Sequence, residues 1–307
     1  MSTFHSKKLL PLLAAFLVFI VSCQKSNNTS QTTSQTAETA QQKAMLMSVT
    51  NDVYTSGSIA DENYSDAVNN GVMTNGTDGG AQSCRVVTYI PSDSVYPHQT
   101  IINFGNGCLG PDGVTRKGEK IVTNYVNPAT AAAGTEITST TFSNYSEDSI
   151  AVQGEVKVYV KTTGTPGPLV LQYVDNLTYV ATNGSIKSAY GVHYWTQIAG
   201  ASTVTKSDDV FSITGTSQGA EVLDGATLLT FTATVDNLNP VIKPTACYFR
   251  TQGAENVNIN LISGGAATFN EHLDYGNGTC DNVATLSIDG GTPQSVTLPL
   301  QFWPLSL

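Results

Sequence analysis

Leu229-Thr230-Phe231-Thr232-Ala233-Thr234-Val235 alternates apolar and threonine residues without a break. Leu228 would fall on the threonine face, so the alternation is clean only from Leu229. Side chains of an extended strand point to opposite faces with period two, so this segment predicts a strand with one buried and one wet face. The same pattern recurs in Glu155–Lys161, where Val156, Val158 and Val160 alternate with charged residues and Tyr159. It recurs again in Val257, Ile259 and Leu261, which alternate with Asn258 and Asn260. Strands of this kind belong to antiparallel sheets with a solvated side. Turn signals separate the runs: Pro111-Asp112-Gly113, Thr165-Pro166-Gly167, Asn183-Gly184 and Asp289-Gly290-Gly291. Roughly a dozen strands with almost no helix after residue 84 predict an all-β fold, an antiparallel β-sandwich-like body.

The N-terminal third is different. Lys7 and Lys8 precede a 13-residue apolar run, Leu9–Val21, that stops at Ser22-Cys23. Such a run is too short to span a bilayer comfortably and reads as a cleaved signal, residues 1–22. Small Ser22 before Cys23 matches a lipobox, which predicts lipidation of Cys23 by a diacylglycerol. Two acyl chains give a stable anchor where one is marginal. Gln24 favours an outer-membrane address, on either the periplasmic or the cell-surface face. Residues 23–43 hold Gln, Ser, Thr, Asn and Ala almost exclusively, with no aromatic residue. They predict a disordered tether with an end-to-end distance on the order of 25 Å. Residues 44–83 predict a short helix, near Gln41–Tyr54, followed by a loop. The body is then 84–307, read as two repeats of about 84–160 and 161–307.

Composition narrows the function. Loss of residues 1–22 removes two of the 14 basic residues and none of the 24 acidic ones, so the mature chain is more acidic than the −10 of the full sequence. That argues against nucleic acid and polybasic lipid contacts as partners. Charged residues are only 12% of the chain, against about 25% in typical domains, with Thr, Ser, Asn and Gly supplying polarity.

Beyond Cys23 stand four cysteines, Cys84, Cys108, Cys247 and Cys280. An even count in an exported chain predicts two disulfides, for which three pairings exist. Asn103-Phe104-Gly105-Asn106-Gly107-Cys108 lines up with Asp274-Tyr275-Gly276-Asn277-Gly278-Thr279-Cys280, apart from the extra Thr279. Each block follows an upstream cysteine at the start of a β-like run, Cys84-Arg85-Val86-Val87 or Cys247-Tyr248-Phe249-Arg250. One strand-pair device used twice predicts local bridges, Cys84–Cys108 and Cys247–Cys280. These blocks, with Gly110–Gly118 after the first, resemble those of a group of uncharacterised bacterial lipoproteins over most of Cys84–Leu300. The resemblance implies the anchor and the repeat and carries no activity.

Four constellations bear on chemistry. Gly215-Thr216-Ser217-Gln218-Gly219 matches G-x-S-x-G, but no helical pattern follows, as a nucleophile elbow requires. The favoured reading is a strand-to-turn linker. His98 and His193 lack the close spacing of a metal-ligand pair and read as surface or interstrand residues. Asp274, Asn277, Asp281 and Asn282 gather hard oxygen ligands as a calcium loop would. Left-handed turn geometry explains the same residues and is favoured, leaving calcium as the one cofactor raised. Finally, Tyr190-Gly191-Val192-His193-Tyr194-Trp195 puts Tyr190 and Tyr194 on one strand face, His193 and Trp195 on the other. One set must face solvent, where aromatic rings can receive sugars, although core and cross-strand packing is the commoner use.

The sequence thus predicts a lipid-anchored, non-catalytic binding or structural module of the envelope, directed at a glycan or an envelope protein. The alternative is a hydrolase whose site is assembled from distant residues.

Overall fold

The computed structural model describes residues 84–298, except 93–94, 111–113, 129, 165–166, 204–205, 248 and 264–265. The signal, Cys23, the tether, the helix near Gln41–Tyr54 and Phe302–Leu305 lie outside the described residues.

The body is all-β and antiparallel. Its strands are β1 (Val86–Ile90), β2 (His98–Asn103), β3 (Cys108–Leu109), β4 (Thr115–Asn124), β5 (Glu136–Glu147), β6 (Ile150–Thr163), β7 (Leu169–Val180) and β8 (Ile186–Ala199). Then follow β9 (Val210–Leu223), β10 (Ala226–Val235), β11 (Val241–Pro244), β12 (Gln252–Leu261), β13 (Ala267–Asn277), β14 (Val283–Ile288) and β15 (Gln294–Thr297). All fifteen belong to one sheet, more than the dozen expected. Its order is a meander, β1-β2-β4-β5-β6-β7-β8-β9-β10-β12-β13-β14-β15, in which almost every strand pairs with its sequence neighbour. The residue 160/161 boundary falls inside β6, which pairs with β7 along nearly its whole length.

The two strands off this path explain themselves by register. Val235 pairs with Gly215 of β9, and Val241 pairs with Ile213 two residues on. β10 and β11 are therefore one strand interrupted by a five-residue excursion, 236–240. β2 and β3 repeat the device. Asn103 pairs with Glu119 and Cys108 with Arg116 of the same β4, so Phe104–Gly107 bulges from one long strand.

One face of the sheet is buried from β2 to β14, through Ile102, Val122, Val156, Tyr173, Trp195, Ala233, Val257 and Leu273. Apolar side chains repeat on every second residue of β6, β10 and β12, as the alternation predicts. No helix longer than the three-residue turn Lys206–Asp208 exists among the described residues to cover this face. One buried and one wet face on a large antiparallel sheet is the sandwich-like pattern the alternation predicts. Trp195 is the largest fully buried side chain; its ring lies 5.2 Å from Tyr173 and 5.8 Å from Phe211. Such aromatic burial contributes roughly 1.5–3 kcal/mol per ring.

Both cysteine blocks close as the repeat predicted, with Cys84 bonded to Cys108 and Cys247 to Cys280. The blocks share more than cysteines. Asn103 Oδ1 accepts the Gly105 N–H at 2.7 Å, and Asp274 Oδ1 accepts the Gly276 N–H at 2.8 Å. Gly105 and Gly276 have φ of 59° and 101°, which a side chain at Cβ disfavours. The turns push Phe104 and Tyr275 into the interior, where they are 3% and 2% exposed. Beside each lies a buried Arg–Glu–Tyr group. Arg116 Nε is 3.6 Å from Glu147, which accepts the Tyr145 hydroxyl at 2.6 Å. Arg250 Nη1 is 3.6 Å from Glu255, which accepts the Tyr275 hydroxyl at 2.9 Å.

The solvent-facing side of β7–β13 forms a lattice in unbroken register. One row is Thr178, Ser188, Ala220, Thr230, Asn260 and Thr268. The next is Asn176, Tyr190, Gln218, Thr232, Asn258 and Asn270. The third is Val174, Val192, Thr216, Thr234, Asn256 and His272.

Candidate functional site

The aromatic run on β8 splits across the sheet. Tyr190 is 46% exposed on the outer face, opposite Asn176 of β7 and Gln218 of β9. Tyr194, four residues on, faces the same side between Gln172 and Thr214. These two tyrosines, spaced at twice the strand period, are flanked by three amides that can donate and accept at once. Trp195 points the other way and is 1% exposed, so it belongs to the core and cannot act as a platform.

His193 shares the inner face. Of the surface and interstrand positions the sequence offers, it takes the interstrand one: its Nε2 lies 3.7 Å from Asp175 Oδ1 of the paired strand β7, with the side chains 13% and 3% exposed. Glycines make room for this pair. A Cβ on Gly191 would lie 2.4 Å from Asp175 Oδ1 and 2.8 Å from His193 Nε2, and one on Gly215 would lie 3.0 Å from His193 Nδ1. Burial disfavours both charged forms. It raises Asp175 to about 6 against an opposing backbone hydrogen bond. It lowers His193 to about 4, helped by the positive charge of Arg250. Between these values both groups are neutral, so their contact there is not an ion pair.

Ser217 lies on that face as well, opposite Gly191 and buried. The segment Gly215–Gly219, expected as a strand-to-turn linker, is the interior of β9. The reason is steric. His193 occupies the space over Gly215, and the Phe231 ring lies over Gly219, where a Cβ would stand 2.5 Å from Cε1. No helix follows Ser217, and no hydrogen bond joins it to His193 among the described residues, so the nucleophile-elbow geometry is not formed. A cleft near the strand ends holds about 300 Å³ including its open mouth, lined by Tyr179, Lys187, Ala189, Glu221, Leu229 and Phe231.

His98 likewise takes the interstrand alternative, buried between β2 and β4. Its Nδ1 donates to the Val95 carbonyl at 3.0 Å, and its Nε2 accepts from Asn124 at 3.1 Å. The oxygen-rich turn is held by its own backbone. Asp274, Asn277 and Asp281 accept the N–H groups of Gly276, Thr279 and Val283 at 2.8, 3.4 and 3.0 Å. Among the described residues no group of three or more His, Cys, Asp or Glu is arranged to hold a metal. Asn282 contributes through its carbonyl, which accepts from the Leu298 N–H at 2.7 Å.

The structure therefore keeps Tyr190 and Tyr194 together, separates them from His193 and Trp195, and adds Asn176, Gln172 and Gln218. Alternation on β7, where Tyr173, Asp175 and Leu177 interleave with Gln172, Val174 and Asn176, carries the signal for these amides. Pairing register with β8 is what gives it meaning. No protein-family model matches the chain, and neither a curated protein nor a solved structure matches it.

Proposed function

We propose that this chain is a lipid-anchored envelope protein, held through Cys23 at the outer membrane, that binds a glycan on the outer face of its sheet without catalysis. The observation that carries this reading is the pair of exposed Tyr190 and half-buried Tyr194 on one face, each set between hydrogen-bonding side chains of the neighbouring strands. A sugar ring offers a C–H face to an aromatic ring and vicinal hydroxyls to amides, and such contacts favour both. Two disulfides fit an oxidising, extracytoplasmic compartment. The test is a glycan array with the full chain and with Tyr190→Ala/Tyr194→Ala, in calcium and in chelator. Binding that survives chelator and is lost in the variant is the expected result. Loss in chelator alone would move the site to the Asp274 turn, and no binding would move the weight to an envelope-protein partner.

A hydrolase is the second reading, favoured by the co-facial Asp175, His193 and Ser217. Its check is labelling of the full chain by a fluorophosphonate probe. Labelling lost in Ser217→Ala would establish it.

A further inference from the structure

We infer that the ligand of this face is a long, neutral polysaccharide lying across the strands, and that its site extends from the tyrosines on β8 to β13. The inference rests on the glycan reading above and names the class of glycan.

The first argument is charge. The three rows contain 18 positions and not one Asp, Glu, Lys or Arg. At this chain's own charged fraction of 12%, about two would be expected. The molecule does use charge on this face elsewhere: on β6, next to β7, Glu155 and Lys157 form a pair at 3.2 Å. Charge is thus absent from the three rows and resumes at their borders, where Asp274 follows His272 on the same face of β13 and Asp289 accepts from Asn270. An anionic polymer finds no counter-charge within the rows and meets carboxylates at their edge, whereas a neutral one meets no desolvation cost of a fixed ion.

The second argument is shape and repeat. Strands lie 4.7–4.9 Å apart, so six of them span about 24 Å, the length of several sugar residues. No wall closes the ends of a row, so nothing measures a chain terminus. Small-ligand sites are concave, and this one is an open sheet face. The middle row offers one aromatic ring followed by amide and hydroxyl groups on every strand. Its last two members are already ordered, with Asn258 donating to Asn270 at 2.8 Å, and in the adjacent row Thr268 donates to Asn260 at 2.9 Å. Pre-ordered groups lose less side-chain entropy when a ligand docks. Weak contacts repeated along one chain then add through effective concentration.

Affinity electrophoresis of the full chain tests this, in native gels cast with hydroxyethyl cellulose, glucomannan, xyloglucan or soluble starch, and with polygalacturonate as the acidic comparator. The expected result is retardation by at least one neutral polymer and none by polygalacturonate. Thr232→Ala/Asn258→Ala/Asn270→Ala should weaken retention at least about fivefold, as should Tyr190→Ala/Tyr194→Ala. Thr232→Lys, a single exposed change, serves as the second probe and should weaken retention as well. Loss in the tyrosine variant with unchanged retention in both Thr232 variants would overturn the extended site while leaving a short-glycan site intact. Retention by polygalacturonate alone would overturn the neutral class. Absence of retention by every polymer would overturn the proposal, and a silent glycan array beside it would remove the glycan reading too.

Discussion

Glycines 215 and 219 are the residues whose meaning changed most between sequence and structure. With Ser217 between them they compose a catalytic motif on paper, yet each is needed because β8 backbone leaves no room for a side chain, the Val192 carbonyl and His193 Cα at Gly215 and the Ser188 carbonyl, together with the Phe231 ring, at Gly219. Gly219→Ala would drive a methyl group into Phe231 and the Ser188 carbonyl, and should cost about 1–3 kcal/mol, read as a lowered denaturation midpoint in urea. Unchanged stability would remove the steric account. The Asp175–His193 pair makes a second prediction with opposite signs. Asp175 has a raised folded-state value, so its contribution is present below 3.8 and lost as pH rises to about 6. His193 has a lowered one, so its contribution is present above 6.5 and lost as pH falls to about 4. The two slopes cancel between about pH 4 and 6. Relative to the wild type, His193→Gln should therefore lose stability as pH rises through that window, and Asp175→Asn should gain it. Parallel profiles would refute the pairing. None of this was legible in the sequence, because Asp175, His193 and Gly215 meet only through the pairing of three strands.

At the scale of elements, strands and bridges were the readable part. β6, β10 and β12 announce themselves because runs of apolar residues fall on alternate, inward positions: Val156, Val158 and Val160; Leu229, Phe231, Ala233 and Val235; Val257, Ile259 and Leu261. β4 and β5 do not, since Lys120, Asn124, Thr138 and Thr140 occupy inward sites and blur the period. The interrupted strands were hidden for another reason: an excursion of four or five residues looks like a turn, and only the shared partner reveals continuity. The cysteine blocks were legible as a repeat, but the Arg–Glu–Tyr groups beside them were not, because Tyr145 and Glu147 come from a strand outside the first block. Each bridge closes a loop with a sequence separation of 24 or 33 residues. Replacing Cys84 and Cys108 by serine should cost about 3–4 kcal/mol through the unfolded chain, and replacing Cys247 and Cys280 slightly more. Urea denaturation of the two double variants would check both values; no loss in either would show that the Arg–Glu–Tyr groups hold the blocks unaided. Breaking one of those, as in Glu255→Gln, should cost about 3–5 kcal/mol, since Arg250 keeps its charge in the interior.

The described body joins a buried inner face to an outer face on which three rows of side chains cross six strands without charge. Binding there should depend little on ionic strength. Retention by a neutral polymer should be unchanged between about 0.05 and 0.5 M salt, because no counter-ions are released. A steep salt dependence would point to a charged ligand elsewhere on the sheet. The all-β class was readable from alternation and turn signals, whereas a single continuous meander was not. Local patterns give strands and hairpins, and they do not say whether successive hairpins share one sheet.

That meander also decides how the molecule responds to force. β1 and β15 stand at opposite ends of the strand order, so the two ends of the described chain enter at opposite edges of one ribbon. Tension between them loads the edge hydrogen bonds one after another, as in a zipper, and not all together in shear. Strands should peel singly from the outside inward, each exposing the next. Against that sequence the bridges act as knots: Cys84–Cys108 ties the outermost hairpin at one edge, and Cys247–Cys280 fastens the ribbon near the other. Pulled by its ends, the protein can extend the stretch between Cys108 and Cys247, which neither bridge encloses, whereas the loops within Cys84–Cys108 and Cys247–Cys280 stay closed until their bridges are reduced.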